Sequence, residues 1–564
     1  MYHSTLPSRP GVDAYLRAGR ITADHETAQH MVHRIVAALA AADARCDPSG
    51  AGHFAERLGW ALDTERIVFS TPIMTNAGRY PDRPLAACAV PPVDLRGDLS
   101  HVKTIVDDYH RAGMGTGFAL DDVADPVAVL RYLNDVSVAG AEGGGEDRPV
   151  GNMAVLSLSH ARAEEFIACK VGADARGERW KFNISLQVTD LEMHAALYTA
   201  GRERDLLIAA AEAARACADP GLLFADRMNE GNPTPHIGKY ASTAPCAEVG
   251  LIAGETCQFG YINLGRFQTG GGLVPVDFDA LADAVRVLVR ALDNAIEASL
   301  DHYPSPLSAR VMAAKRKIGI GVCGLADLLV ASSLPYDSPE ARRLAQEVIA
   351  LINYTSKVAS VELAQQRGSC PAVLDGRSRY ADSAFLKRFA VLEVESVTAG
   401  DWALLAEEIA RTGVLRNSST IALPPTGRSA PVVGASTGIE PLFRLADDLT
   451  GQVRPGVAAA LRLAERPDLL DFIAAQGHLP MDGAVPTWLR TTLATATQIT
   501  PDGHLAMASA AQACVDEAVS KTVNLAAGAR SIDVYDAYAK AWEMGCKGIT
   551  VYVDGSRQTQ PQAL

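Results

Sequence analysis

Apolar positions across residues 12–66 recur at three- and four-residue intervals, as in Ile35-Val36-Ala37-Ala38-Leu39-Ala40-Ala41, and predict helix. The same reading predicts helices at 188–218, 279–302, 340–366 and 402–413, and a helical stretch from Ile105 to Arg111. Short β-type runs fall between them, among them Ile318-Gly319-Ile320-Gly321-Val322 and Gly548-Ile549-Thr550-Val551-Tyr552-Val553. Thr75-Asn76-Ala77-Gly78 predicts a turn, with a short apolar stretch around Cys88 beyond it. Residues 125–168 mix helix and strand signals around Gly143-Gly144-Gly145, a break that fits either a functional or a disordered loop. Helices alternating with short strands imply an α/β architecture, and no internal repeat of solenoid period interrupts it.

Length and composition narrow the picture. A chain of 564 residues exceeds one ordinary core and implies two or three domains, or one large barrel with appendages. With 48% hydrophobic and 21% charged residues it is a folding sequence. Lys and Arg number 52 against 66 Asp and Glu, a net charge of −14, which argues against gripping a nucleic acid polymer. A local pocket for a phosphorylated small molecule remains open. No stretch has the apolar length of a membrane helix, and Met1-Tyr2-His3-Ser4 does not begin a signal peptide, so a cytoplasmic protein is expected. The ten cysteines form neither a Cys-x-x-Cys pair nor a quartet, so no protein-held metal is expected.

Candidate chemistry concentrates in one proline-rich segment. Asn232-Pro233-Thr234-Pro235-His236 and Ser242-Thr243-Ala244-Pro245-Cys246-Ala247-Glu248 cannot be helical and predict an extended loop. In extended backbone Cys246 and Glu248 share a side. A sulfur beside a carboxylate suits hydrogen-atom abstraction coupled to acid–base work on a hydroxyl. Taken alone, the pair is more simply read as an ordinary buried cysteine next to a surface glutamate.

The wider segment resolves that ambiguity. Leu222-Leu223-Phe224-Ala225-Asp226-Arg227, the Asn-Pro-Thr-Pro-His run, Pro245-Cys246-x-Glu248 and Glu255-Thr256-Cys257-x-x-Gly260-x-Ile262-Asn263-Leu264 together resemble the finger-loop region of ribonucleotide reductases. The resemblance implies a thiyl radical on Cys246 and a ribose-assisting Glu248. It also implies a redox pair: Leu85-Ala86-Ala87-Cys88-Ala89-Val90 resembles the segment of the first redox cysteine, and Cys257 matches the second. The chain departs from the family two residues before the radical cysteine, where Ala244 stands in place of an asparagine. If that side chain faces the ribose, alanine removes a polar contact and enlarges the pocket, so an unusual nucleotide is expected to be tolerated or preferred.

Other segments extend the resemblance. Ile421-Ala422-x-Pro424-x-Thr426-Gly427 and Ser436-Thr437-Gly438-Ile439-Glu440-Pro441 resemble the family's phosphate site. Small and hydroxyl residues at a helix start would offer backbone N–H groups to the phosphate, and Pro425, Thr426, Gly427, Arg428 and Ser429 are expected to line it. A plain turn and helix cap is the simpler reading of those residues alone. Ser70 and Thr71 in Ser70-Thr71-Pro72, the Asn76-Ala77-Gly78 turn, and Asn183 and Ser185 in Phe182-Asn183-Ile184-Ser185 resemble further substrate-contacting segments. Gly113-Met114-Gly115-Thr116-Gly117-Phe118 has a misplaced third glycine for a dinucleotide fingerprint and follows a helical stretch. It better resembles the family's glycine loop, which puts Gly115 and Gly117 near the cofactor and base.

The branch of the family follows from the distal segments. No Arg-Val-x-Gly-Tyr ending of the glycyl-radical branch is present, and Tyr552 stands without the adjacent tyrosine of the diiron branch. Gly545-Cys546-Lys547-Gly548-Ile549-Thr550-Val551-Tyr552-x-Asp554-Gly555-Ser556-Arg557 and Arg316-Lys317-Ile318-Gly319-x-Gly321-Val322-x-Gly324-Leu325-Ala326-Asp327-Leu328-Leu329 resemble the class II, adenosylcobalamin-dependent branch. That implies a ten-stranded α/β barrel over 67–557, a helical N-terminal region over 1–66 and a short tail over 558–564. It also implies adenosylcobalamin near Gly115, Gly117 and Tyr552, a ribonucleotide substrate, a thiol reductant such as thioredoxin or a small thiol, and a possible homodimer. The family's C-terminal cysteine pair has no counterpart in Gly555–Leu564, so direct reduction by an external thiol, or turnover that consumes no electrons, is expected. Glu146 and Asp147 in the stretch Gly145–Met153, together with only 66 residues before the barrel, predict weak control by effector nucleotides. Two rivals remain: a specialised reductase or epimerase on a modified nucleotide in nucleoside natural-product synthesis, and an inactive nucleotide-binding regulator.

Overall fold

The computed structural model describes residues 2–7, 9–143, 150–269, 275–480 and 485–556. The Gly144-Gly145 part of the glycine break, the acidic pair Glu146 and Asp147, and the tail 558–564 lie outside the described residues. The strands in chain order are β1 (Ile67–Phe69), β2 (Cys88–Ala89), β3 (Gly115–Ala119), β4 (Asn152–Ser157), β5 (Phe182–Val188), β6 (Gly221–Phe224), β7 (Ser242–Thr243), β8 (Gly250–Leu251), β9 (Thr256–Asn263), β10 (Ile318–Cys323), β11 (Thr522–Leu525) and β12 (Gly548–Val553).

Ten of these strands make one sheet, and β7 and β8 form a separate hairpin. Strands β2 to β6 run parallel to one another. β9 and β10 are parallel, as are β11 and β12. The gap between β10 and β11 is bridged by 421–423, through parallel pairings of Ile320 with Ile421 and Leu423 with Val519. Ile320 N–H donates to Thr420 O (2.8 Å) and Ser520 N–H to Leu423 O (2.8 Å) across that bridge. The two parallel halves meet antiparallel at β2–β9 and at β6–β12. β1 and β2 follow one another along the same edge of β9. The sheet therefore closes into a barrel, with 421–423 filling the last position.

Parallel strands covered on the outside by helices and filled on the inside read as continuous apolar runs, and all eight residues of β9 and all six of β10 are buried. Outside β9 lies helix Phe278–Glu297, started by the Asp277 side chain accepting from Ala280 N–H and packing its apolar stripe inward. A Cβ at Gly260 would come within 2.6 Å of Leu288 Cδ1, so glycine lets that helix sit close. The predicted helix 188–218 is two, Asp190–Tyr198 and Arg202–Cys217, broken at Gly201. The others form as Phe278–Glu297, Pro339–Arg367 and Ala399–Thr412. The N-terminal helices Val12–Ala18, Ala28–Cys46 and Ala51–Asp63 bury their stripes in the same core as β9 and β10. Among the described residues no helix is long and apolar enough to cross a membrane.

Candidate active site

The segment expected to be an extended loop is a β-hairpin. β7 pairs antiparallel with β8, Ser242 opposite Leu251 and Thr243 opposite Gly250. Ala247 N–H closes a turn onto Ala244 O (2.9 Å) with Pro245 and Cys246 at its centre, and Ala247 then takes a left-handed φ of +66°. The alternation rule for extended chain therefore stops at the tip. Cys246 is exposed, whereas Glu248 and Ala244 are 3% and 0% exposed. Ala244 was expected to face the ribose and leave room. It is instead wholly enclosed, its N–H donating to Val249 O at 3.0 Å.

The hairpin is held inside the barrel from both halves. On β3, a Cβ at Gly117 would lie 2.2 Å from Thr243 O and one at Gly115 2.7 Å from Pro245 Cγ, so only glycine admits the hairpin there. On β5, Asn183 donates to Pro245 O (2.9 Å) and Gln187 to Ala241 O (3.2 Å). Ala247 packs against Met153, Val155 and Leu223 of β4 and β6. From the other half, Ala518 N–H donates to Glu248 O (2.9 Å) and Lys317 Nζ to Gly250 O (2.7 Å). Lys317 also reaches Glu517 at 3.0 Å and Glu255 at 3.3 Å, and Tyr240 donates to Glu517 at 2.9 Å. Burial alone would pull the Lys317 ammonium down, but the two carboxylates outweigh it and hold it above its usual value.

Cys88 and Cys257 are direct partners across the antiparallel β2–β9 pair. Residues so placed have Cα atoms roughly 4.5–5.5 Å apart, within the range a disulfide spans. Cys88 is half-buried and Cys257 fully buried. Cys257, Phe259 and Tyr261 alternate onto the inner face of β9, and Gly319 and Gly321 of β10 leave room for the two rings: a Cβ at Gly319 would meet Phe259 at 2.2 Å. The Tyr261 phenol is pushed well above its usual range by burial, then by the charges that Glu248, Cys88, Cys246 and Cys257 can carry. The charge on the carboxyl and on any of the three thiols is thus felt at one tyrosine.

The Cys246 side chain is open at the hairpin tip, yet the protein packed around the tip desolvates its thiol and raises it far above a free cysteine, with the Glu248 charge adding to the shift, so the residue is held as S–H. Burial raises the Glu248 carboxyl to about 7, and its Oε2 is enclosed without a hydrogen-bond partner. A carboxyl balanced near neutrality can both take and return a proton.

The expected phosphate residues gather, though not at a helix start. Thr426 has φ +55°, Ser429 N–H and Ala430 N–H both donate to Thr426 O (2.9 Å), and only a 3-10 turn, Ala430–Val433, follows. Thr426 Oγ1 accepts from Gly438 N–H (2.7 Å) and clasps the two turns together. Arg428 Nη1 is buried with no partner among the described residues. Pro425 is half-buried and Gly427 exposed. Ser70, directly beyond β1, donates its N–H to Phe259 O (3.0 Å) and leaves its Oγ enclosed and unpartnered, while Thr71 begins the short helix Thr71–Asn76. Ser185 is buried on β5. Gly115 and Gly117, expected in a loop, are in strand β3. Tyr552 lies on β12 opposite Asn524 of β11, and both Tyr552 Oη and Asn524 Nδ2 are enclosed without partners. No cluster of three or more His, Cys, Asp or Glu suited to a metal ion occurs among the described residues.

Known proteins match this arrangement along nearly the whole chain. The family described as "Ribonucleotide reductase, barrel domain" matches residues 198–552. The chain belongs to the ribonucleotide reductase family. It is 34% identical to a vitamin B12-dependent ribonucleoside-diphosphate reductase of Mycobacterium tuberculosis, covering 95% of this chain and 77% of that one. It is 31% identical to the enzyme of the same name from Thermoplasma acidophilum, covering 91% and 66%. The Actinobacillus ureae class Id ribonucleotide reductase alpha subunit has the same fold, with a TM-score of 0.76 at 16% identity over 97% of this chain and 99% of that one.

Within this reductase barrel, sequence reasoning passed over Tyr261 and the Lys317–Glu517–Tyr240 clamp. Tyr261 was findable, since it stands four residues beyond Cys257 in a strand-like run and so shares its face. Lys317 gives no such signal, because its partners come from 240, 255 and 517.

Proposed function

We propose that this chain reduces a ribonucleotide at the ribose 2′ carbon by thiyl-radical chemistry, with adenosylcobalamin as the radical source. The observation that carries this reading is the grouping of Cys246 and Glu248 with the cross-strand thiols Cys88 and Cys257 around Tyr261. The orphaned Tyr552 Oη and Asn524 Nδ2 fit the amide-fringed edge of a cobalamin, and these residues would lie against it. When bound, adenosylcobalamin supplies, by homolysis of its cobalt–carbon bond, the one-electron oxidant for the Cys246 thiol.

The remaining work belongs to the chain. The turns at 425–429 and 436–438 with Arg428 take the phosphate. The Cys246 thiyl removes the 3′ hydrogen, and Glu248 accepts the 3′-hydroxyl proton. The 2′ hydroxyl takes a proton from a thiol of the Cys88–Cys257 pair and leaves as water. Cys88 and Cys257 give two electrons and become a disulfide, after which hydrogen returns from Cys246 to the 3′ carbon. A thiol, thioredoxin or a small molecule, restores the pair. Paired thiols in register favour this over an epimerase, which has no use for two electrons.

The test is anaerobic incubation with adenosylcobalamin, dithiothreitol and a panel of ribonucleotides, with products read by mass spectrometry. Wild type is expected to form a 2′-deoxynucleotide, and Cys246→Ser to form none while still binding nucleotide, because a serine O–H is too strong to relay a radical. Normal turnover by Cys246→Ser would sink the mechanism.

A further inference from the structure

Tyr261 is 6% exposed, and its hydroxyl hydrogen-bonds no described residue. The oxygen is unpaired without being sealed off, so it opens on space that a ligand can enter and is free to take a partner that the protein itself does not provide. Its neighbours say where that partner lies. Along the same inward face of β9 lies Cys257, with Cys88 across from it on β2, and the charges of Glu248 and Cys246 reach the phenol as well. The ring also packs toward Pro424, the residue that leads into the turn 425–429: a Cβ at Gly321 would meet Pro424 Cδ at 2.8 Å and Tyr261 Cδ1 at 3.0 Å. Tyr261 therefore spans the interval between the phosphate turns and the radical cysteine, which is where the sugar of a nucleotide anchored by its phosphate must lie. The hairpin offers no polar side chain at 244, where an enclosed alanine stands.

We infer that Tyr261 is a substrate-contacting residue whose phenol holds a sugar hydroxyl of the bound nucleotide. The inference rests on reading the barrel as a ribonucleotide site. Burial keeps the phenol neutral, so it can donate to a sugar oxygen and accept from a sugar hydroxyl at once. A site that pairs a hydroxyl rejects the analogue lacking it, because its own polar group is then stranded.

The experiment is equilibrium dialysis of ADP, GDP, CDP and UDP, with their 2′-deoxy and 3′-deoxy counterparts, against wild type and Tyr261→Phe. Wild type is expected to bind a ribonucleotide about tenfold tighter than the counterpart lacking the paired hydroxyl. Tyr261→Phe should weaken the ribonucleotide by a similar factor and erase that preference, with KM rising in step. Equal binding of ribo and both deoxy forms by wild type overturns the inference without any variant. So does an unchanged preference in Tyr261→Phe. Failure of wild type to turn over any ribonucleotide that it binds would defeat the reductase reading alone, whereas failure to bind any of them defeats both.

Discussion

Cys88 on β2 stands directly opposite Cys257 on β9, a placement whose Cα separation of roughly 4.5–5.5 Å is one that a disulfide spans. Pre-reduced wild type without external thiol is expected to make about one product per chain and stop, since two thiols hold one electron pair. After that turnover, mass spectrometry of a non-reducing digest should find the peptides of Cys88 and Cys257 joined. Cys88→Ser should fail under multiple turnover even with dithiothreitol present. Full multiple-turnover rates in that variant would favour chemistry that consumes no electrons.

Glu248 gives the enzyme a pH dependence of determined sign. Its carboxyl, raised by burial from 4.5 to about 7, would be the base when ionised in the proposed mechanism. kcat/KM is expected to rise with pH through about 7, and Glu248→Gln to lose roughly 10²–10⁴-fold and flatten that limb. Stability moves the other way. Between about 4.5 and 7 the unfolded chain has released the proton that the folded chain retains, so stability falls as pH rises across that window. Glu248→Gln escapes the loss and should gain on wild type above pH 7 by up to about 3 kcal/mol, as read by denaturant titration at pH 5 and pH 8. Equal wild-type and variant stability at both values would show that Glu248 is not desolvated.

Gly117 is expected to be intolerant of even one methyl group. An added Cβ would sit 2.2 Å from Thr243 O, a backbone atom that cannot swing aside. Gly117→Ala should therefore displace the hairpin and abolish turnover while the barrel keeps its circular dichroism. Asn183→Ala removes only one hydrogen bond to Pro245 O, about 1 kcal/mol, and should slow turnover without abolishing it. Similar losses in the two variants would mean that the hairpin is not clamped at β3.

The barrel, and the segments that carry Cys88, Cys246 and Cys257, were legible because the signals are local. Strand-like runs at 318–322 and 548–553 match β10 and β12, and the cysteine segments carry distinctive neighbours. What was not legible depends on contacts distant in sequence. The closing segment 421–423 is too short to read as a strand, and it exists as one only because Ile320 and Val519 flank it. The prolines around Cys246 forbid helix but do not reveal a hairpin, whose β7–β8 pairing is held from outside by Asn183 and Lys317. The phosphate turns look like a helix start in sequence because Thr426 and Ser429 are capping residues. The Thr426 hydroxyl instead accepts from Gly438 N–H and ties two turns together, while its carbonyl closes the turn onto Ser429 and Ala430.

Ala244 is the position at which sequence and structure point to different experiments. A missing amide facing the ribose would mean that Ala244→Asn restores a contact and moves preference toward common ribonucleotides. Ala244 is 0% exposed, however, and shares a continuous core with Cys257, Phe259 and Tyr261. An asparagine there adds heavy atoms to a closed space and brings a donor and an acceptor with no prepared partners. Overpacking costs about 1–3 kcal/mol, and an unpaired buried amide adds to it. Ala244→Asn is therefore expected to lower the denaturant midpoint at an unchanged slope, and to reduce kcat for every nucleotide tested by shifting the turn that carries Cys246. The two accounts separate cleanly when stability and kcat/KM are measured on the same preparation. A variant as stable as wild type that now prefers common ribonucleotides would mean that the side chain at 244 reaches the sugar, and that the alanine sets the substrate.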